Sequence, residues 1–362
     1  MNGGARGYDR FAHWPRGPSI ALLAGIVLVL LAAVWTAPGS SPPAPRPSAS
    51  TAAAATPDRD ADLQLYDRIA ERVRAGENYH AVAIEEQRAR HFPVRPGLAV
   101  RLPTLAYLTA LMGDEAVGVA ALLAALAAGA WFFRLADEPG GRSRRPVILV
   151  LLLVGMSIGL NPGYLVLHEV WAGLLLALAI GLHRPGRWLG AWLAAGAALA
   201  IREHALPFVL LMGAMAAYRR DRRETAAWSV LAALFAIGLW WHLAQVNALL
   251  LASDRPSDTW LALRGLRGLT GNVIESSFLH LLPMWLAAPL ALLPLVGWAG
   301  WRADLGQFGT LLYGGYGLLF MLAGRDNNFY WALVVTPAWF VGFAFLPMAL
   351  RSLLASAARA RP

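Results

Sequence analysis

The chain has 362 residues, of which 57% are hydrophobic and 15% charged, whereas soluble domains average about 25% charged. That balance, laid out as long apolar runs, excludes a pair of ordinary soluble domains and fits one helical membrane domain. Cysteine is absent, which excludes disulfide staples and thiolate chemistry. The net charge of +9 rests on arginine alone, with no lysine. These arginines sit in short clusters between apolar runs, so they suit membrane orientation and anionic lipid headgroups, and no nucleic acid is expected as a partner.

In chain order, residues 1–36 read as a cytoplasmic N-terminus and first span: Arg6, Arg10 and Arg16 precede an apolar run from Ile20 to Val34. A cleaved signal peptide is the alternative, but Thr36-Ala37-Pro38-Gly39 is a poor cleavage site. Residues 37–57 form a linker of Pro, Ala and Ser that has too little apolar surface to pack a core. Residues 58–114 make a first outer loop. Within it, Leu65, Ile69 and Val73 predict a short amphipathic helix, with Asp58, Asp60 and Asp62 at its start and Gly76 at its end. Pro103 to Met112 is apolar but too short to cross a bilayer, and predicts a half-inserted segment.

A transmembrane bundle over 115–350 follows, with spans expected at about 115–135, 146–160, 165–182, 188–201, 203–218, 226–247, 278–300, 306–323 and 329–350. With the first span this predicts an all-α bundle of about ten spans. Residues 351–362 form a tail. Arg142, Arg144 and Arg145, Arg184 and Arg187, Arg219, Arg220, Arg222 and Arg223, Arg302, and Arg351, Arg359 and Arg361 all fall on the side of the N-terminus if spans alternate. The positive-inside rule makes that side cytoplasmic and leaves the first loop and residues 248–277 outside. No internal repeat of the transporter kind is visible. Gly314-Gly315 lies in an apolar run and predicts close helix packing rather than phosphate binding.

Ionisable groups at membrane depth are costly and mark candidate sites. Four clusters map to the outer side. Asp60 and Asp62, with Tyr66 one turn on, could supply a general base, hold a divalent cation such as Mg or Mn, or cap a solvated helix. His168-Glu169 follows Asn161-Pro162-Gly163-Tyr164 at the start of a span. Arg202-Glu203-His204 joins two apolar runs with almost no loop; it could close a turn, or Arg202 could bind phosphate with its planar fork. Gly324 to Trp331 carries Arg325, Asn327, Asn328 and Tyr330, either as an anchored interfacial loop or as a site for phosphate and hydroxyls. Together they predict one shared cavity open to the outer side. No complete metal-ligand set, HExxH, P-loop or GxSxG pattern stands in a fitting context.

The stretch Asp62, Tyr66, Ile69-Ala70, Gly76, Tyr79, then Pro93, Pro96, Arg101-Leu102-Pro103 and Leu105 resembles the first outer loop of GT-C-type integral membrane glycosyltransferases, in the spacing of the polyprenol-phosphate-mannose-dependent bacterial branch. The Arg202-Glu203 junction resembles the short paired helices of that superfamily. The motif spans residues 62–105, while the resemblance in topology covers most of the chain. It implies a GT-C-like fold in a bacterial inner membrane and an inverting transfer of a sugar from a polyprenyl-phosphate donor in cell-envelope assembly. Asp62 would be the general base, with Asp60 as alternate. Arg202 and Arg325 would bind the donor phosphate, and Tyr66, His168, Glu169, Glu203, Asn327, Asn328 and Tyr330 the substrate. The sequence departs from the family in the linker between first span and acid, and in lacking a soluble outer C-terminal domain. That suits a small acceptor or a partner subunit; a glycan, lipid or protein acceptor remains open. A transporter or flippase of a lipid-linked or anionic solute, and a non-catalytic membrane subunit, are the other function classes.

Overall fold

The computed structural model describes residues 7–37 and 61–359, so Asp60, Asp58 and linker residues 38–57 lie outside the described residues. The described chain is helical. Helix α1 (Arg16–Thr36) is followed by three short helices, α2 (Ala61–Arg74), α3 (Tyr79–Ala89) and α4 (Thr104–Met112). Next come α5 (Ala116–Asp137), α6 (Gly141–Ser157), α7 (His168–Leu182), α8 (Leu189–Ile201), α9 (Leu206–Tyr218) and α10 (Arg222–Leu249). The last are α11 (Gly265–Glu275), α12 (Met284–Gly300), α13 (Asp304–Leu322), α14 (Thr336–Trp339) and α15 (Leu346–Ala357). Among the described residues, four helical stretches are long and apolar enough to cross a membrane: Arg16–Thr36, Gly97–Asp137, Gly141–Leu160 and Arg222–Leu249. A fifth arises if Thr336–Ala344 and Leu346–Ala357, bent by 46°, count as one. Leu28, Leu31, Phe133, Val150, Ile237 and Trp240 face outward on these helices, as lipid-facing residues do.

The turns gather at two ends. At one, Trp301 Nε1 donates to Pro139 O (2.8 Å), Arg302 N to Tyr8 O (2.8 Å), Arg184 Nε to Asp137 Oδ2 (3.3 Å) and His183 contacts Glu224 Oε1 through Nε2 (2.8 Å). Asp9 accepts from Ser352, and Arg359 Nη2 donates to Ala12 O (2.8 Å), so residues 9–12 and 352–359 join this arginine-rich end. The opposite, loop end gathers residues 61–104, 158–168, 202–205, 250–264 and 324–331.

The loop end carries a helical layer with its own apolar core. Leu65, Ile69 and Val73, spaced by four along α2, bury against Val82, Ala83 and Ile84 of α3, Val94, Val100 and Val246 of α10. Gly76 ends this unit with φ at +91°, a left-handed geometry that glycine adopts without steric cost. Helix α3 was not foreseen in the sequence. Its cap is Asn78, whose side chain accepts from His80 N (3.0 Å) and Ala81 N (3.3 Å). Arg88 pins α3 to the loop after α10 by a fork onto Asp254, at 2.6 Å and 2.8 Å. The guanidinium holds the Asp254 carboxyl down to about 2.

Three expectations need correcting. The loop expected over 248–277 contains α11, amphipathic and docked through buried Leu269, Val273 and Ile274. The span expected over 329–350 is a broken series of 3-10 and α turns, because Pro337 and Pro347 remove backbone donors and Gly342 admits a neighbouring backbone. Gly314 and Gly315 do not pack closely: a side chain at either would meet open space. The close approach lies elsewhere, where a Cβ on Gly342 would fall 2.0 Å from Pro294 O and one on Gly297 1.8 Å from Gly342 O.

Candidate functional site

A polar cavity of about 140 Å³ lies at the loop end. Helix α2 contributes Asp62, Leu65 and Tyr66; residues 87–101 contribute Gln87, Phe92, Pro93, Ala99 and Arg101. Ser257 and Trp260 come from the loop before α11, and Arg325, Asn327, Asn328, Tyr330 and Trp331 from the segment after α13. Asp62 stands in the first turn of α2, where a carboxylate is favoured by the helix dipole, and the buried face of α2 turns its side chain and Tyr66 to the cavity.

The cavity is rich in donors. Arg101 Nε donates to the Tyr66 hydroxyl (3.1 Å), and its Nη2 lies 3.4 Å from the Tyr330 hydroxyl. Asn328 Nδ2 donates to the same Tyr330 oxygen (3.2 Å), while Asn328 Oδ1 accepts from Arg325 N (3.1 Å). Arg325 Nη2 donates to Ser257 Oγ (2.5 Å) and to the carbonyl of Asp258, and its guanidinium lies 5.8 Å from the Trp260 ring centre. Both arginines are thus held by neutral groups, and neither is ion-paired among the described residues. Arg325 Nε and Trp331 Nε1 are buried with no hydrogen-bond partner among the described residues. Unpartnered buried donors are costly, so this wall suits a ligand that brings acceptor oxygens. Asp62 supplies a carboxylate to the same cavity.

Arg101 is fixed through its backbone. Three consecutive carbonyls accept side-chain hydrogen bonds: Ala99 O from Gln87 Nε2 (3.3 Å), Val100 O from His242 Nε2 (3.2 Å) and Arg101 O from the Tyr79 hydroxyl (2.7 Å). Beyond this segment runs an apolar groove of about 320 Å³. Its walls are Leu102, Pro103 and Thr104, with Leu199 and Ala200 of α8 and Leu231, Phe235 and Leu239 of α10. Residues 99–104 therefore divide a polar compartment from an apolar one.

The four polar clusters do not share one cavity, which corrects the expectation. Asp62, Tyr66, Arg325, Asn327, Asn328 and Tyr330 line it; His168, Glu169, Arg202 and Glu203 do not. Arg202 is 0% exposed, with Glu169 Oε1 2.7 Å from its Nε and Glu203 on its Nη1. Two carboxylates close around this guanidinium because an unpaired charge at that depth would be far more costly. The buried cluster still touches the cavity wall. The His204 ring packs on Trp331 (4.6 Å between centres), and the His168 ring stands edge-on to Tyr66 (5.4 Å). His168 is 4% exposed and neither ring nitrogen has a partner.

Sequence reasoning gave no site role to Arg101, which it placed only in a motif, and passed over Gln87, Ser257 and Trp260. Arg101 could have been found, since it stands in the Arg101-Leu102-Pro103 triplet beside the half-inserted helix. Asp60 lies outside the described residues, and among those described no group of three or more His, Asp or Glu could hold a metal ion. Comparison of the chain with models of known protein families, with curated proteins and with solved structures finds no match.

Proposed function

We propose that this protein is an inverting membrane glycosyltransferase that takes a sugar from a polyprenyl-phosphate donor at the loop end. The observation that carries this reading is the convergence of Asp62 with two arginines that have no carboxylate partner among the described residues, Arg101 and Arg325, on one cavity beside an apolar groove. The donor phosphate takes Arg101 and Arg325, so Arg101 replaces Arg202 in that role. The polyprenyl chain follows the groove past Leu102 to Thr104. Sugar hydroxyls meet Asn327, Asn328 and Tyr330, with Trp260 and Trp331 as aromatic walls. Asp62 takes the proton from the acceptor hydroxyl while that oxygen bonds to the anomeric carbon from the face opposite the phosphate. The bond from that carbon to the phosphate oxygen breaks, and the polyprenyl phosphate leaves with the electron pair, its charge met by the two guanidiniums.

The reading carries a topology. Ten passes between the two ends, by α1, α5 to α10, α12, α13 and the broken α14–α15 segment, are supported by the contacts that gather the turns. The arginine-rich end then faces the cytoplasm and the loop end the outside of a bacterial inner membrane. Asp62→Asn tests the chemistry. It should lower sugar transfer from a polyprenyl-phosphate donor by about 100-fold or more, with membrane insertion and thermal stability unchanged. Full transfer activity in Asp62→Asn, and in a variant that also carries Asp60→Asn, would sink the assignment. Lipid translocation by reconstituted protein without sugar transfer would favour the flippase class instead.

A further inference from the structure

The buried histidine pair between the helical layer and α10 takes no step in that chemistry, but His242 borders the apolar groove and grips the segment that carries Arg101. His80 of α3 is 7% exposed and His242 of α10 is 2% exposed, and His80 Nε2 lies 3.2 Å from His242 Nδ1. We propose that this pair is a positioning latch for Arg101, closed while at most one ring is protonated and opened when both are. The proposal rests on the reading of the polar cavity as an anion site.

The hydrogen-bond pattern fixes the logic. A backbone carbonyl can only accept, so His242 Nε2 must carry the proton that it gives to Val100 O. His242 Nδ1 is then a lone pair, and His80 Nε2 donates to it. The first added proton goes to His80 Nδ1 and leaves both contacts intact. The second can go only to His242 Nδ1, and it sets two N–H groups and two positive charges against each other at 3.2 Å. The Val100 carbonyl lies between Ala99 and Arg101 in the run of three held carbonyls, so release of α10 frees the wall shared by the cavity and the groove. The other groups facing the pair do not titrate with it. Trp241 of α10 is edge-on to His80 at 5.7 Å, and Tyr79 of α3 at 5.4 Å. Glu203, in the turn before α9, is the carboxylate whose field reaches His242. Burial, then the neighbouring His242, holds His80 below the usual imidazole range. The neutral form of His80 is the stabilised one, so even the first proton binds only below about pH 6.5, and the latch, intact with one proton, is lost as pH falls further and the second is forced onto His242 Nδ1.

The test uses the full chain in detergent micelles with undecaprenyl monophosphate as probe, its affinity read by calorimetry from about pH 7.5 to about pH 4.5. His80→Gln is the comparison. Its amide can turn either an N–H or a carbonyl towards His242, so the latch stays closed at every pH. The probe's own ionisation near about pH 6 acts equally on both proteins. Wild type should lose about tenfold more affinity on the acid side than His80→Gln; identical profiles overturn the proposal. A second readout needs no ligand. Spin labels at Glu85→Cys and Ala248→Cys, two exposed sites in a chain without cysteine, should show one narrow distance distribution at neutral pH and a broadened one in acid. His80→Gln should keep the narrow one. An unchanged wild-type distribution in acid overturns the latch. Separation of the labels without lipid-phosphate binding at any pH supports the latch and overturns the anion reading of the cavity.

Discussion

Two arginines at the loop end differ in what surrounds their charge. Arg202 is closed between Glu169 and Glu203 with no exposed surface, whereas Arg101 is held by the hydroxyls of Tyr66 and Tyr330 and faces a cavity. Removing the first strands the Glu169 carboxylate where water cannot reach it and takes a partner from the partly exposed Glu203; removing the second strands only neutral phenols. Arg202→Met should therefore cost about 3–5 kcal/mol of stability, read as a loss of monodisperse protein after heating in detergent. Arg101→Met should melt close to wild type while losing lipid-phosphate affinity. Equal melting of the two variants would contradict this division of labour. The sequence offers both as charged residues near apolar runs and cannot rank them, because the distinction lies in which carboxylates fold back on each. Arg202 had its partner Glu203 beside it, but Glu169 is distant in the chain, and that second partner takes the guanidinium out of reach of a ligand.

At the scale of elements, the amphipathic α2 was legible because its apolar residues recur at one spacing and Gly76 marks its end. Helix α3 was not legible: its apolar residues are mixed with His80 and Gln87, whose burial depends on partners far along the chain. The same limit applies to glycine. An apolar run with two glycines suggests tight packing, but tightness depends on what stands opposite. Gly342 has the Pro294 carbonyl 2.0 Å from where a Cβ would stand, and Gly314 and Gly315 have nothing. Gly342→Ala should then force α12 and the broken helix apart and cost about 1–3 kcal/mol or more. Gly314→Ala should be neutral or stabilising by about 0.5–1 kcal/mol, since alanine holds a helix better than glycine. Melting in detergent separates the two outcomes, and a destabilised Gly314→Ala would show that this face of α13 is covered.

At the scale of the whole molecule, the division into two ends was the most legible feature. Apolar runs mark the helices and arginine clusters mark the turns at one end, so the sequence carries the alternation without knowledge of packing. What it could not carry was depth: of four polar clusters on one side, two form an open cavity and two close on themselves, and only the fold distinguishes them. The two ends also give the sharpest test of orientation. Arg187 sits in the turn that meets the arginine-rich end, and Asp258 in the exposed loop beside the cavity. Because the chain has no cysteine, a single Arg187→Cys or Asp258→Cys reports its own side without background. With the positive end held in the cytoplasm, Asp258→Cys should react with a membrane-impermeant thiol reagent in cells with a permeabilised outer envelope and intact inner membrane. Arg187→Cys should react only after that membrane is opened. The reverse pattern would place the cavity on the cytoplasmic face, where a nucleotide-linked sugar could reach it, and the outward-facing polyprenyl-phosphate transfer would be overturned. Reaction of both before opening would mean that the helices between these turns do not separate two compartments.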